Sequence, residues 1–474
     1  MVRVAVIGAF GSAGVAAAEE LLHLADSGRL DDLELVLVDD GAPGGLCILR
    51  GCMPSKDVLT AGAHRFQASH DDRLQGRLAV DVDAVVERKD EHVDGWAGHR
   101  RDAVAAMAER PEVTMRRERA TFEDAHTLRV GDETLAVDHA IVATGSTPRI
   151  PPIEGLDDVV RTSRDLLDET DLPDRAVVVG FGFIGIELVP YLATVGDTDV
   201  VVIDRNDRPL PEADPAFGES LLALYRDTFG IDVETGAEVR TVERDGDDVV
   251  VTFENAGGDM RYARGEALYA FTGRRPNLDG LGLDALGLEP RPGWVDDSMR
   301  AVDAEGIYVV GDANGREPLL HVAKEEGIAA ARTIDAVEAG RTPPTYAPTV
   351  HRVVFSGLGL YPFARVGHTT ATAQAAGHEV VTVTRRASQD GIFAVKDLPE
   401  GLARLVVDAD DGTVLGYQGL HHHADVFAKT AQIVVEHGLP VEAIPDRAYH
   451  PTTPELLDGL VREAVDARDR LTTA

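Results

Sequence analysis

Apolar residues along the chain gather in short runs of two kinds. Nearly continuous runs occur at Val2 to Ile7, Leu33 to Val38, Ala140 to Ala143, Ala176 to Gly180, Val200 to Ile203 and Ile307 to Val310. Runs of this length without alternation predict strands buried on both faces, as in parallel sheets. The run at Val2 leads into Gly8-Ala9-Phe10-Gly11-Ser12-Ala13-Gly14 and an alanine-rich helix to about Leu24; the next strand, Leu33 to Val38, ends in Asp39. Ala176 to Gly180 repeats this succession with Gly180-Phe181-Gly182-Phe183-Ile184-Gly185-Ile186-Glu187, and Val200 to Ile203 ends in Asp204. Further on the pattern changes. Alternating segments at Val350 to Phe355, Glu379 to Thr384 and Ala403 to Val407 precede helical periodicity from Ala424 to Gly438 and after Pro454. That mix predicts an α+β portion. Pro151-Pro152-Ile153-Glu154-Gly155 and Arg341 to Pro348 read as breaks. The expected segments are 1–152, 153–271, 272–343 and 344–474.

Strand, glycine turn, helix and a strand ending in acid form the Rossmann arrangement. Pyrophosphate sits over the helix N-terminus and the ribose hydroxyls reach the carboxylate. At the first turn the spacing is G-x-x-G-x-x-G, so either Phe10 is inserted or Ala9 replaces a glycine. The second turn is a complete G-x-G-x-x-G. One such motif is weak. Two in matched contexts predict two bound dinucleotides, in an α/β chain with two Rossmann-like domains.

Charge narrows the class. There are 82 acidic residues against 46 basic ones in 474, a formal net charge of −36. Lysine occurs only at Lys56, Lys89, Lys324, Lys396 and Lys429. Such an excess suits a salt-rich cytoplasm, where screening limits self-repulsion. It argues against nucleic acid and anionic membranes, since each phosphate contact needs a cation. No apolar run is long enough to span a bilayer. With a strand beginning at Val2, no leader is expected, and the expected location is cytoplasmic.

The only two cysteines are Cys47 and Cys52, within Gly44-Gly45-Leu46-Cys47-Ile48-Leu49-Arg50-Gly51-Cys52-Met53-Pro54-Ser55-Lys56. On a continuous helix their Cα atoms would stand roughly 8–9 Å apart, beyond the roughly 7 Å limit for a disulfide. A bonded pair therefore requires a distorted helix start. A structural crosslink over so short a loop stabilises little, and no third cysteine completes a tetrahedral metal set. A redox-active pair is the favoured reading, with no metal site. The run His421-His422-His423 lacks matching ligands elsewhere and reads as part of the last domain.

The chain resembles the family of dihydrolipoamide dehydrogenase, glutathione reductase and mercuric reductase. The resemblance covers nearly the whole length. It rests on the first glycine turn, Cys47-x4-Cys52-Met-Pro-Ser-Lys56, Ala143-Thr144-Gly145, the Gly180 motif with Glu187, Thr272-Gly273-Arg274-Arg275-Pro276-Asn277, Gly311-Asp312 and His450-Pro451-Thr452-Thr453-Pro454-Glu455. It implies FAD held by Gly8, Gly11, Ser12, Gly14, Asp39, Gly45, Lys56, Ala143, Thr144, Gly145, Gly273, Arg274, Gly311 and Asp312. A nicotinamide cofactor is implied at Gly180, Gly182, Gly185, Asp204, Arg205 and Arg208. The segments then divide into a flavin domain (1–152 and 272–343), a nicotinamide domain (153–271) and a dimerisation domain (344–474). Chemistry agrees, because a flavin reconciles a hydride donor with a disulfide. Glu187 alone would read as a helix first-turn acid; the resemblance pairs it with Lys56. His450, with Glu455 to fix its ring and raise its basicity, is implied to act on the disulfide of the other subunit. The active unit is then a homodimer.

Departures within the family bear on substrate. No cysteine follows Cys52, unlike mercuric reductases, and no C-x-x-C lies in the nicotinamide domain, unlike small thioredoxin reductases. Leu46 and Ile48-Leu49-Arg50-Gly51 differ from the usual lipoamide-enzyme run. With the acidic surface, these imply a reductase of bis-γ-glutamylcystine, the disulfide of the haloarchaeal thiol pool. The alternatives are a dihydrolipoamide dehydrogenase and a non-catalytic flavoprotein sensor or complex subunit. Asp204 favours NADH through the free ribose hydroxyl, whereas Arg205 and Arg208 suit the phosphate of NADPH; thiol-pool reductases favour NADPH. Arg50, between the cysteines, is a candidate for a substrate carboxylate.

Overall fold

Parallel pairing begins at Val2, whose strand to Ile7 lies between Leu33–Val38 and His139–Val142. The structure is a computed structural model and describes residues 1–76 and 78–472. The chain forms two units. The first comprises Met1–Pro54, Arg88–Arg149 and Arg274–Pro348; the second comprises Ser55–Glu87, Ile150–Gly273 and Thr349–Ala474.

In the first unit a five-stranded parallel sheet runs in the order Ile307–Val309, His139–Val142, Val2–Ile7, Leu33–Val38, Val113–Arg116. Its central strands are covered on both faces: Val4, Ala5, Val6, Leu35 and Leu37 have no exposed surface. That is why they read as unbroken apolar runs. Helix Ser12–Asp26 packs along helix Leu320–Glu338. Contact is close because both faces are small. A Cβ on Gly327 would lie 2.3 Å from the Ala13 carbonyl oxygen and 3.1 Å from the Ala17 nitrogen. A three-stranded antiparallel sheet, Ala120–Asp124, Thr127–Val130 and Glu133–Ala136, completes the unit, with the ribbon Ser146–Pro148 against Arg274–Pro276.

The second unit repeats the parallel theme in the order Val233–Glu234, Asp199–Ile203, Arg175–Val179, Ala267–Ala270, Val160–Arg161. A three-stranded antiparallel sheet is inserted between Glu238 and Gly265. The last portion is an antiparallel sheet ordered His351–Val354, Phe363–Gly367, Val414–Leu420, Leu402–Asp408, Val380–Arg386. Helices Ala424–Glu436 and Glu455–Thr472 pack on it. The fold is thus two Rossmann-like dinucleotide domains followed by an α+β domain. Among the described residues no helix is long and apolar enough to cross a membrane.

Candidate active site

The two cysteines are joined by a disulfide, and their Cα atoms are 5.1 Å apart. The distortion that a bonded pair requires is a break between two helices. Helix Gly45–Leu49 stops at Arg50, whose φ is −147°, and helix Cys52–His70 starts two residues later. Gly51 permits the approach, since a Cβ there would lie 2.9 Å from the Leu46 carbonyl oxygen and 3.0 Å from the Cys47 Cα.

The two glycine turns superpose in their bonding and differ by one residue. Gly8 donates its N–H to the Val38 carbonyl and Gly180 donates to that of Ile203, each at 2.8 Å. Gly11 is the N-cap of helix Ser12–Asp26, and Gly182 is the N-cap of helix Phe183–Val195. Three positions separate the first pair of glycines and two the second, so the first turn contains an inserted residue. Both strand-end acids bind their turns. Asp39 accepts from the N–H of Phe10 and of Gly41, each at 2.8 Å; burial raises its carboxyl above the usual range, and the two N–H groups oppose that shift. Asp204, buried, accepts from the N–H groups of Phe181 and Asn206. Arg205 is exposed; Arg208 keeps a buried Nε without a partner.

A polar chain connects the remaining flavin candidates of the first unit. Arg274 donates from Nε to Ser146 Oγ at 2.8 Å and from Nη2 to the Ser146 carbonyl at 2.6 Å. Ser146 Oγ donates to Asp312 Oδ2 at 2.5 Å. The adjoining turn is held by buried Glu326, whose Oε2 accepts from the Gly311 N–H at 2.7 Å and from Asn314 Nδ2 at 2.8 Å. Burial pushes the Glu326 carboxyl up to about 7. Two observations fit a dinucleotide here: Thr144 Oγ1 is buried with no partner, and a Cβ on Gly145 would meet nothing within 4 Å. Gly182 is open in the same sense at the second turn, beside a helix N-terminus suited to pyrophosphate.

In the second unit Lys56 Nζ donates to Glu187 Oε2 at 2.6 Å and lies 4.7 Å from the centre of the Phe355 ring. Glu187 Oε1 accepts the Phe355 N–H at 3.0 Å. Glu187 stands beyond the first turn of helix Phe183–Val195, and that turn contains no acid, so the reading as a first-turn acid does not hold. His450 Nδ1 lies 3.1 Å from Glu455 Oε2, and Thr452 donates its N–H to Glu455 Oε1 at 2.9 Å. These contacts, the imidazole first, lower the Glu455 carboxyl. The His450 side chain is 81% exposed, and its bond to Pro451 is cis. The His421–His423 run is spent locally. His421 bonds Tyr417 Oη and the His422 carbonyl, His422 bonds the Leu360 carbonyl, and His423 bonds Thr453 Oγ1. Desolvation brings His421 and His422 to about 4, so both are neutral near pH 7.

Cys47 lines a cavity of about 840 Å³ within the first unit. Its walls come from helix Ser12–Asp26, from Trp96 to Ala103 of helix Val82–Ala108, and from helix Leu320–Glu338. Charged lining residues include Glu19, Arg100 and Lys324. None of these was legible as a site residue, because they are distant in sequence and belong to no motif. Ser146, by contrast, directly follows the Ala-Thr-Gly run.

Residues 2–327 match the pyridine nucleotide-disulphide oxidoreductases, and residues 350–460 match the dimerisation domain of the same family. A dihydrolipoyl dehydrogenase of Halobacterium salinarum is 31% identical over 95% of this chain and 94% of its own length. One from Haloferax volcanii is 31% identical over 89% of each chain. The solved structure of LpdA from Mycobacterium tuberculosis, at 23% identity, has the same fold, with a TM-score of 0.83 over 98% of this chain and 99% of its own. Fold, paired dinucleotide turns, the Cys47–Cys52 disulfide and the family match define an oxidoreductase acting on a sulfur group. The chain belongs to the pyridine nucleotide-disulphide oxidoreductases, flavoproteins that bind FAD and NAD(P)H.

Proposed function

We propose that this chain is a homodimeric reductase that draws electrons from NADPH and reduces a low-molecular-weight disulfide, bis-γ-glutamylcystine, in the cytoplasm of a salt-adapted cell. The observation that carries the reading is Cys47, disulfide-bonded and facing a cavity large enough for a small disulfide. FAD, held by segments 1–152 and 272–343 through the glycine turn, Asp39, Thr144, Arg274 and Asp312, supplies the two-electron link between nicotinamide and thiol pair. Cys47 in its reduced form attacks one sulfur of the substrate, and a mixed disulfide forms as the other sulfur leaves. His450 of the partner subunit, kept in orientation by Glu455, gives the leaving thiolate its proton. Cys52 then attacks Cys47, releasing the second thiol and restoring the Cys47–Cys52 bond. The exposure of His450 supports a role toward another chain, and the match to a dimerisation domain supports the dimer.

For the nicotinamide, Asp204 already accepts two backbone N–H groups, while Arg205 is exposed and Arg208 has an unsatisfied Nε. Two guanidiniums beside an occupied carboxylate support the 2′-phosphate of NADPH. The relatives from Halobacterium and Haloferax support salt adaptation, and their names favour a second reading, oxidation of dihydrolipoyl groups with NAD⁺. Steady-state assays in molar KCl decide between the two. The proposal expects a higher kcat/KM for bis-γ-glutamylcystine with NADPH than for lipoamide with NADH. The reverse order establishes the second reading.

A further inference from the structure

The cavity at Cys47 contains two opposite charges that do not neutralise each other. Lys324 and Glu19 both line it, both are exposed, and neither forms an ion pair or side-chain hydrogen bond among the described residues. The neighbouring charges are engaged. Glu20 is paired with Arg332 at 2.7 Å, and Arg100 directs Nη1 toward the carbonyl oxygens of Phe10 and Gly11, each at 3.4 Å, while its charge is attracted by Glu19 without a direct bond. Lysine is scarce here, at five positions in 474 residues, against 82 acids. Lys56 is tied to Glu187 and Lys89 to Asp90. Lys324, like Lys396 and Lys429, forms no ion pair among the described residues, but it alone of the three stands on a wall of the cavity that holds the reactive sulfur. Glu19 is set on the facing helix, on the same cavity.

We infer that Lys324 and Glu19 determine the specificity of the Cys47 cavity, which takes a disulfide bearing amino-acid zwitterions: Lys324 receives a carboxylate and Glu19 an ammonium group. The inference rests on the disulfide-reductase reading and deepens it. A γ-glutamyl disulfide bears both charges on each half, whereas lipoamide bears neither. In molar salt the screening length is about 3 Å, so long-range steering fades and only direct, charge-assisted hydrogen bonds discriminate. Lys324 and Glu19 can supply those from exposed positions. Arg50, the candidate suggested by its place between the cysteines, is not among the lining residues.

The test uses the full-length, flavin-loaded protein in molar KCl at pH 8, with Lys324→Gln and Glu19→Gln. Bis-γ-glutamylcystine and lipoamide are the two disulfides, and flavin reduction by NADPH controls for folding. Losing one charge-assisted contact should lower the ratio of kcat/KM for bis-γ-glutamylcystine over lipoamide by about tenfold or more in each variant, mainly through KM. Calorimetric binding of bis-γ-glutamylcystine to the oxidised protein should weaken in parallel. Lys324→Arg should recover most of the loss. A wild type that reduces bis-γ-glutamylcystine, with a ratio moved less than about twofold by both variants, overturns this inference alone. A wild type whose flavin NADPH reduces, but which turns over neither disulfide, overturns the reductase reading and this inference with it.

Discussion

Lys56 Nζ and Glu187 Oε2 are 2.6 Å apart across 131 positions of sequence. The pair is partly shielded, with the lysine side chain 30% exposed and the glutamate 13%. Glu187 also receives the Phe355 N–H, so its removal takes the acceptor from that group and leaves Lys56 Nζ only Ser55 Oγ, at 3.4 Å. Glu187→Ala should destabilise the fold by about 2–4 kcal/mol, and Lys56→Met by less. A double-mutant cycle from urea unfolding in molar KCl should show coupling of about 1 kcal/mol or more. Additive effects would mean that the pair contributes nothing beyond its separate contacts.

The thiols have distinct surroundings, because Cys47 lines the cavity and Cys52 opens helix Cys52–His70. Cys47→Ser should abolish disulfide turnover while flavin reduction by NADPH continues, with a long-wavelength thiolate–flavin absorbance. Should Cys52→Ser be the variant with that absorbance, the two roles are exchanged.

His450 is tested by mixing subunits. His450→Gln should lower disulfide turnover by about 10²–10⁴-fold with little effect on flavin reduction. A heterodimer of His450→Gln and Cys47→Ser chains contains one site with both groups intact if the imidazole serves the partner subunit. Its activity should approach half that of the wild type. Inactive heterodimers would place His450 at its own chain's thiols.

Glu326 should leave a mark on stability against pH. Its folded value of about 7 lies above the ordinary 4.5, so between those values the folded chain binds more protons than the unfolded one. Stability from this group is therefore greatest below about pH 4.5 and falls as pH rises towards 7, by about 3 kcal/mol in all. Glu326→Gln keeps an acceptor for Gly311 and Asn314 and should remove that slope. Urea midpoints from pH 5 to 8, compared between wild type and variant, measure it; parallel curves would show that the carboxyl titrates normally.

Much of the fold was legible because buried parallel strands read as apolar runs and end in glycine or acid at fixed distances. The first glycine turn was ambiguous for a specific reason. Spacing cannot tell an insertion from a replacement, whereas the N–H of Gly8 and the cap at Gly11 can. The thiol pair was visible at once, but its closeness depends on Gly51, where a helix that sequence periodicity would continue is broken. The cavity was invisible. Glu19, Arg100 and Lys324 lie in three helices whose meeting is a tertiary event, and each looks like an ordinary surface charge in its own segment.

The backbone contact at Gly327 has a consequence for how such an enzyme changes over time. Helices Ser12–Asp26 and Leu320–Glu338 are spaced by main-chain atoms against a hydrogen, not by side chains that could be exchanged. The gauge of the cavity between them is therefore fixed independently of the residues that face into it. Point changes at positions such as Glu19 or Lys324 can alter what the cavity accepts without disturbing the sheet or either dinucleotide turn. Chemical taste and framework can drift separately, and a descendant could acquire a new small disulfide by repainting two walls of an unchanged room.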